Sequence, residues 1–261
     1  MSANPVRTET QDGIRVLTVD RPEKLNALNA SVLEALARAV AECEDSPDLR
    51  CVILTGAGEK AFIAGADIGE LAKLSPLEGR EHARRGQALL DRIADLPIPT
   101  IAAINGYAYG GGLELAMACT LRVAAENARM GLPETSLGIL PGYGGTQRLA
   151  RLVGPARALE LVLTAEKGVT AAEAERIGLV NKVVAAGAAL EAARDIARKI
   201  AGNGPVACRY AMDAIRRGLE MPLAQGQLLE ATLFGLCAAT EDMKEGMTAF
   251  LEKRPAKFSG R

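Results

Sequence analysis

Alternation of apolar and polar positions opens the chain. Val6–Thr10 and Arg15–Asp20 both alternate, the pattern of half-buried strands. Gln11-Asp12-Gly13 between them is a turn signal, so the pair predicts a β-hairpin. After a loop over residues 21–29, Val32, Leu33, Leu36, Ala39 and Val40 fall at helical spacing. They predict a helix to about Glu44, capped by Asn29 or Ser31. Unbroken apolar runs at Arg50–Thr55 and Thr100–Ile104 read as strands buried on both faces. Between them, Lys60–Ile68 leads into a helix or loop, and Leu77–Leu96 predicts a charged-faced helix stopped by Pro97 and Pro99. From Leu113 the run Leu-Glu-Leu-Ala-Met-Ala is helical and almost wholly apolar. Leu121–Ala125 and Ala128–Met130 are strand-like. Helices are predicted over Gly144–Leu152, Pro155–Thr164 and Thr170–Ile177, and a last short strand over Val180–Val184.

Beyond Gly187 the pattern is helical and amphipathic. It predicts Ala188–Ala201, then Pro205–Gly218 opened by a helix-favouring proline, then a long stretch Pro222–Glu252 interrupted at Gly226, Gly235 and Gly246. The order makes an α/β chain in two regions: β–α units over residues 1–200, and an all-helical tail over 201–261. An apolar helical tail needs a surface to pack on, its own domain or a neighbouring subunit.

Composition adds little to the fold but trims the functions. The 261 residues are 49% apolar and 24% charged, ordinary globular usage, with no Trp. Basic and acidic residues balance at 31 against 32, which gives no bulk attraction to nucleic acid or membrane. Neither a signal core nor an apolar run of spanning length is present, so a soluble, cytoplasmic protein is expected. The five cysteines, Cys43, Cys51, Cys119, Cys208 and Cys237, are odd in number and irregularly spaced, and are expected to be reduced thiols. The single histidine, His82, argues against a Ser-His-Asp triad and two-His metal sites. It lies in Glu-Gly-Arg-Glu-His-Ala-Arg-Arg, which reads as a solvated helix face. No metal-ligand cluster is legible.

The candidate chemistry sits between Ile104 and Leu149. Gly110-Gly111-Gly112 lies between a strand and a helix, where uncovered N–H groups and the positive helix end suit an anion or a developing oxyanion. Taken alone, the glycines serve close helix–sheet packing equally well. Glu114 falls in the first turn of that helix, among Leu113, Leu115, Ala116 and Met117. Its neighbours imply burial, which a carboxylate tolerates only with a partner or a purpose. The helix end is expected to favour its ionised form. Glu134 follows Gly131-Leu132-Pro133 and is expected at a strand end or turn, where a cap or a structural ion pair is the plainer role.

Ile104-Asn105-Gly106-Tyr107-Ala108, Gly110-Gly111-Gly112, Glu114-Leu115-Ala116, Pro133-Glu134 and Pro141-Gly142-Tyr143-Gly144-Gly145-Thr146-Gln147-Arg148-Leu149 together resemble the enoyl-CoA hydratase (crotonase) family. So do Arg21-Pro22, Leu25-Asn26-Ala27-Leu28, the run Ala61–Ile68, and Glu245–Arg254 near the C-terminal end. The resemblance spans nearly the whole chain in order and is most like the bacterial-type hydratases. It implies a crotonase-type spiral of ββα units carrying the active site, with the helical tail as a trimerisation region. It implies backbone N–H groups of Ala66 and Gly111 as an oxyanion hole for a thioester carbonyl. Glu114 is then the base acting on water and Glu134 the group exchanging the proton at the α-carbon. The product is a 3-hydroxyacyl-CoA formed by syn addition to a trans-2-enoyl-CoA, as in fatty-acid β-oxidation.

The resemblance further places Lys24 and Leu25 near the CoA nucleotide, and Ala64, Ala66, Asp67 and Ile68 around adenine and pantetheine. Phe250 and Lys253 match positions lent by a neighbouring subunit of a homotrimer or dimer of trimers. No metal or redox cofactor is implied, because CoA arrives as part of the substrate. Three residues depart from the usual pattern: Thr120 in place of Asp, Leu132 in place of a frequent Gln, and a bulky Tyr143. Leu132 and Tyr143 bear on acyl preference and pocket shape. Both glutamates together favour a hydratase, while a Δ3,Δ2-enoyl-CoA isomerase, a hydratase of a branched or cyclic acyl-CoA and an RNA-binding homologue are the alternatives. The charge balance speaks against the last.

Overall fold

The computed structural model describes residues 4–261. β1 (Val6–Gln11) and β2 (Ile14–Val19) form the expected antiparallel hairpin, Val6 opposite Val19. Asp12 and Gly13 both take positive φ, 51° and 73°, as a tight two-residue hairpin turn demands. α1 (Ala30–Glu44) is capped by Asn29, whose side chain accepts the Val32 N–H at 3.0 Å. Such a cap contributes about 1 kcal/mol. β3 (Cys51–Gly56) and β4 (Ala61–Ala64) precede a single turn, α2 (Ile68–Leu71), and a long helix, α3 (Pro76–Asp95). α3 opens with a reciprocal capping box between Ser75 and Glu78.

Next come β5 (Thr100–Ile104), β6 (Tyr107–Tyr109), α4 (Gly111–Ala118), β7 (Leu121–Ala125) and β8 (Arg129–Gly131). After them stand α5 (Gly145–Val153), α6 (Pro155–Leu163), β9 (Val169–Thr170), α7 (Ala171–Arg176) and β10 (Lys182–Val184). The chain ends in α8 (Ala189–Ala201), α9 (Pro205–Gly218), α10 (Leu223–Cys237) and α11 (Glu241–Leu251).

The strands make two sheets. The larger has order β1-β2-β3-β5-β7-β10 and is parallel from β2 onward; the smaller has order β4-β6-β8-β9, parallel through its first three strands. The pairs β3–β4, β5–β6 and β7–β8 each put one strand into the large sheet and the next into the small one, with helical chain after each pair. That repeat is the spiral of ββα units that the resemblance implies. β6 and β9 carry no strand pattern of their own; three and two residues are too few for a period to register.

Two-residue alternation sorts the large sheet's side chains. Val16, Ile53, Ile101, Ala103 and Val123 face α8, which answers with Ala189, Ala193 and Ala197, one per turn. Leu17, Val52, Leu54, Ala102 and Ile104 face the main core with α1, α3 and α4. The tail differs from expectation. Pro222–Glu252 is two helices, α10 and α11, broken at residues 238–240 and not at its glycines. Thr240 causes the restart, because its side chain accepts the Met243 N–H and caps α11. Thr120 joins tail to core: its hydroxyl oxygen accepts from Arg216 of α9 at 2.7 Å and from the Thr100 N–H at 3.1 Å. Among the described residues, no helix is long and apolar enough to cross a membrane, and all five cysteines are free.

Candidate active site

The small sheet assembles the site. β4 runs parallel to β6 with Ala64 opposite Tyr109, and β6 runs parallel to β8 with Tyr109 opposite Gly131. Parallel strands end on the same side, so the segments leaving them emerge together. Ala66 and Gly111 stand two residues past the first pair, and Glu134 stands three past Gly131. Leu28 and Ala66 form an isolated parallel bridge through Leu28 N–H to Gly65 O (2.9 Å) and Asp67 N–H to Leu28 O (2.8 Å). That pattern occupies the groups flanking Ala66 and turns its own N–H the other way. Gly111 is the first residue of α4, so its N–H has no acceptor within the helix. Gly110, at φ 51°, makes the strand-to-helix turn. A side chain there would sit 2.8 Å from Glu134 Oε1 and 3.8 Å from the Gly65 Cα.

Glu114 lies in the first turn of α4 and is 2% exposed. Its Oε1 accepts the Tyr143 N–H at 2.8 Å and the Gly145 N–H at 2.7 Å. Gly145 has to be glycine, since a Cβ would stand 2.8 Å from that oxygen. The expected preference for the ionised form does not hold. Burial pushes the carboxyl up to about 7, against the pull of the two N–H donors and Arg148, and the neighbouring Glu134 adds to the rise. The helix end loses because nearly the whole group is out of water.

Glu134 sits in one turn of 3-10 helix, Pro133–Leu137, started by the proline. The strand-end or turn expectation is refined to that. Burial pushes its carboxyl up to about 6. It neither caps the turn nor forms any described ion pair, and its Oε2 is buried without a partner. Leu132 beside it is fully buried in the main core.

Five further candidates gather at the same strand ends. Lys24 closes the 3-10 turn Pro22–Lys24, and Leu25 and Asn26 take positive φ. Leu25 O accepts the Ala64 N–H at 3.0 Å, which clips this loop to β4. Asp67 caps α2 by accepting the Gly69 N–H at 3.0 Å, and Ile68 begins that turn half-exposed. Phe250 and Lys253 lie apart from these, on and just after α11; the phenyl ring is 82% exposed. Among the described residues, no cluster of His, Cys, Asp or Glu is arranged to hold a metal ion.

His82 is not on a solvated face. It is half-buried, and its Nε2 lies 2.6 Å from the Tyr143 hydroxyl. Tyr143 is 3% exposed and packs on Gly86 of α3 and on Gly111. Arg148 holds the same loop by donating to Tyr143 O at 2.9 Å, and pairs with Asp91. His82, Arg148 and Gly145 are neighbours of the two glutamates or of Tyr143 to which the residue pattern assigns no place at the site, although Gly145 and Arg148 lie in the stretch that carries the resemblance. Gly144-Gly145 behind Pro141-Gly142 is the available signal for a loop that must approach something closely.

Known proteins match this chain over nearly its whole length. The family model described as Enoyl-CoA hydratase/isomerase matches residues 9–261. The short-chain-enoyl-CoA hydratase of Clostridium acetobutylicum is 47% identical over 254 residues, 97% of each chain. The crotonyl-CoA hydratase of Syntrophomonas wolfei is 46% identical over 258 residues, 99% of each. The crystal structure of an enoyl-CoA hydratase from Bacillus anthracis superposes with a TM-score of 0.95 at 41% identity, covering 98% of this chain and 100% of that one.

Proposed function

The chain belongs to the enoyl-CoA hydratase/isomerase family, and from that premise we propose that it is an enzyme adding water across the C2=C3 bond of short trans-2-enoyl-CoA thioesters. One observation carries the chemistry. A buried and a half-buried carboxylate, both with raised pKa values, flank two backbone N–H groups at the end of one set of parallel strands.

The division of labour follows from what each group has left to offer. The amides of Ala66 and Gly111 hold the thioester oxygen, draw electron density from C3 and stabilise the enolate-like charge. Preorganised donors of this kind supply roughly 3–4 kcal/mol each by mutational precedent. Glu114 has one oxygen fixed by two N–H donors, so its other oxygen takes the proton of a water attacking C3. Glu134 has a buried oxygen without a partner, which suits a neutral acid, and it delivers its proton to C2. Both carboxyls approach from one side, so the addition is syn. The proton gained by Glu114 returns to Glu134 through the pair before the next turnover. Base, acid and amides complete the steps, and the reaction so written calls on no metal or redox cofactor; CoA is the acyl carrier.

Short acyl chains are supported by the relatives named for short-chain enoyl-CoA and crotonyl-CoA. A homotrimer, or a dimer of trimers, is supported by the exposed apolar residues of the tail, among them Leu219, Leu223, Leu228 and Phe234. In that assembly Phe250 and Lys253 complete a neighbour's CoA site. The test is hydration of crotonyl-CoA, monitored by loss of the conjugated enoyl-thioester absorbance. Glu114→Gln and Glu134→Gln each lower kcat by about a thousandfold with CoA binding retained. Crotonyl-CoA left unchanged by the wild type refutes the activity, and near-normal turnover in either variant refutes the roles.

A further inference from the structure

Tyr143 occupies a place the hydration chemistry does not require. Its backbone N–H holds Glu114, and its ring lies beside Gly111, whose own N–H is one of the two proposed donors to the thioester oxygen. One face lies against Gly111: a Cβ on that glycine would stand 3.3 Å from ring carbons Cδ2 and Cε2. The opposite edge is sunk into α3 at Gly86, where a Cβ would stand 2.1 Å from ring carbon Cδ1. A helix interior position held by glycine costs about 1 kcal/mol against alanine. Here the glycine makes room for the ring. The hydroxyl is then tied to His82, one helical turn before Gly86. Burial holds the His82 imidazole below its ordinary pKa, so it stays neutral and can accept that O–H.

The direction of the acyl chain follows from the proposed hydration. With the thioester oxygen on Ala66 and Gly111, C2 and C3 face the two glutamates. The next carbon continues past Glu114 toward the loop that donates to it through Tyr143 and Gly145. Of the two only Tyr143 carries a side chain, and its ring is packed on Gly86 and Gly111 and is 3% exposed. Such a ring, keyed into a helix on one edge and pinned at its tip, cannot swing aside as a free side chain can.

We propose that the Tyr143 ring, seated in the gap left by Gly86 and pinned by His82, is an acyl-length stop that admits a four-carbon chain and excludes medium chains. Tyr143 is the specificity-determining residue, and His82 and Gly86 are positioning residues that act through it. This rests on the hydratase reading for the orientation of the substrate, but it is tested by binding, which needs no turnover.

The experiment measures Kd for butyryl-CoA and octanoyl-CoA by titration calorimetry, beside kcat/KM for crotonyl-CoA and trans-2-octenoyl-CoA. Wild-type protein is expected to bind octanoyl-CoA at least about tenfold more weakly than butyryl-CoA, the scale of discrimination a filled apolar pocket supplies. Tyr143→Ala removes most of that preference, and Tyr143→Phe with His82 intact keeps it in part. His82→Phe, which leaves the ring but cuts its tether, shifts the preference toward the longer chain. A merely structural role for His82 would lower stability and leave the ratio alone. Equal affinity for both thioesters in the wild type overturns the stop even if no variant folds, and so does an unchanged ratio in Tyr143→Ala. Failure of the hydration assay with a preserved binding ratio strikes the activity instead.

Discussion

Glu114 pays for its position in the folded state. Its carboxyl is held up to about 7 by burial, against about 4.5 for an exposed glutamate. The folded protein therefore binds a proton that the unfolded chain releases, and stability falls as pH rises between those two values. Below about 4.5 both states are protonated and the loss is absent; above about 7 it is complete. Glu114→Gln keeps an oxygen for Tyr143 and Gly145 but cannot ionise. The variant is expected to match the wild type in stability near pH 4.5 and to exceed it near pH 8, by on the order of 3 kcal/mol. Thermal unfolding at the two pH values reads this, and a difference that does not grow with pH contradicts it. In the proposed mechanism the same pair sets the rate. There the active form carries one proton shared between Glu114 and Glu134, and kcat/KM is expected to peak between two macroscopic values that belong to the pair. Both lie above the ordinary carboxylate range. A flat profile from about pH 5 to about pH 9 would speak against shared acid–base work.

At the scale of elements, closeness matters more than propensity. α4 is pressed so tightly on β4 that a Cβ at Gly112 would stand 2.0 Å from Ile63 O. Gly79, inside α3, has no such neighbour within 4 Å. One substitution thus has opposite signs at the two places. Gly112→Ala is expected to cost about 3 kcal/mol and to cripple turnover by shifting the Gly111 N–H. Gly79→Ala is expected to stabilise by about 0.5–1 kcal/mol without touching turnover. Denaturant titration of both variants checks the contrast. The same closeness explains what is legible in the residues. Hairpin, α1 and α3 follow from local periodicity and caps, and they stand where the pattern puts them. The two glutamates stand out as carboxylates among glycines. The donors to Glu114 do not, because Tyr143 and Gly145 lie 29 and 31 residues further along. His82 reads wrongly for a similar reason. Its own helix is charged, and only the fold brings Tyr143 against it.

For the whole molecule, the tail is the unfinished part. Leu219, Leu223, Leu228, Phe234, Phe250 and Leu251 are each at least 70% exposed in the single chain. Apolar side chains on this scale mark a surface made to be covered. The protein is expected to run as a trimer or hexamer by light scattering, and Leu228→Asp to shift it toward single chains. A monodisperse single chain in the wild type would refute the assembly. Loss of assembly is also expected to weaken CoA binding more than it alters acyl preference. The proposed contribution of Phe250 and Lys253 comes across the interface, whereas Tyr143 stands within one chain.

The parallel register of β4 and β6 has a last consequence, for mutagenesis itself. The grip proposed for the thioester oxygen is made of main chain, at Ala66 and Gly111, so no ordinary exchange of side chains deletes it. A family of proteins on this frame is free to alter or lose either glutamate and still hold an acyl thioester in the same pose. The grip yields only to chemistry on the polypeptide itself. An amide-to-ester replacement at residue 111 keeps every side chain and removes one N–H. Its effect on turnover, set beside that of Glu114→Gln, separates how the carbonyl is held from how the water is delivered.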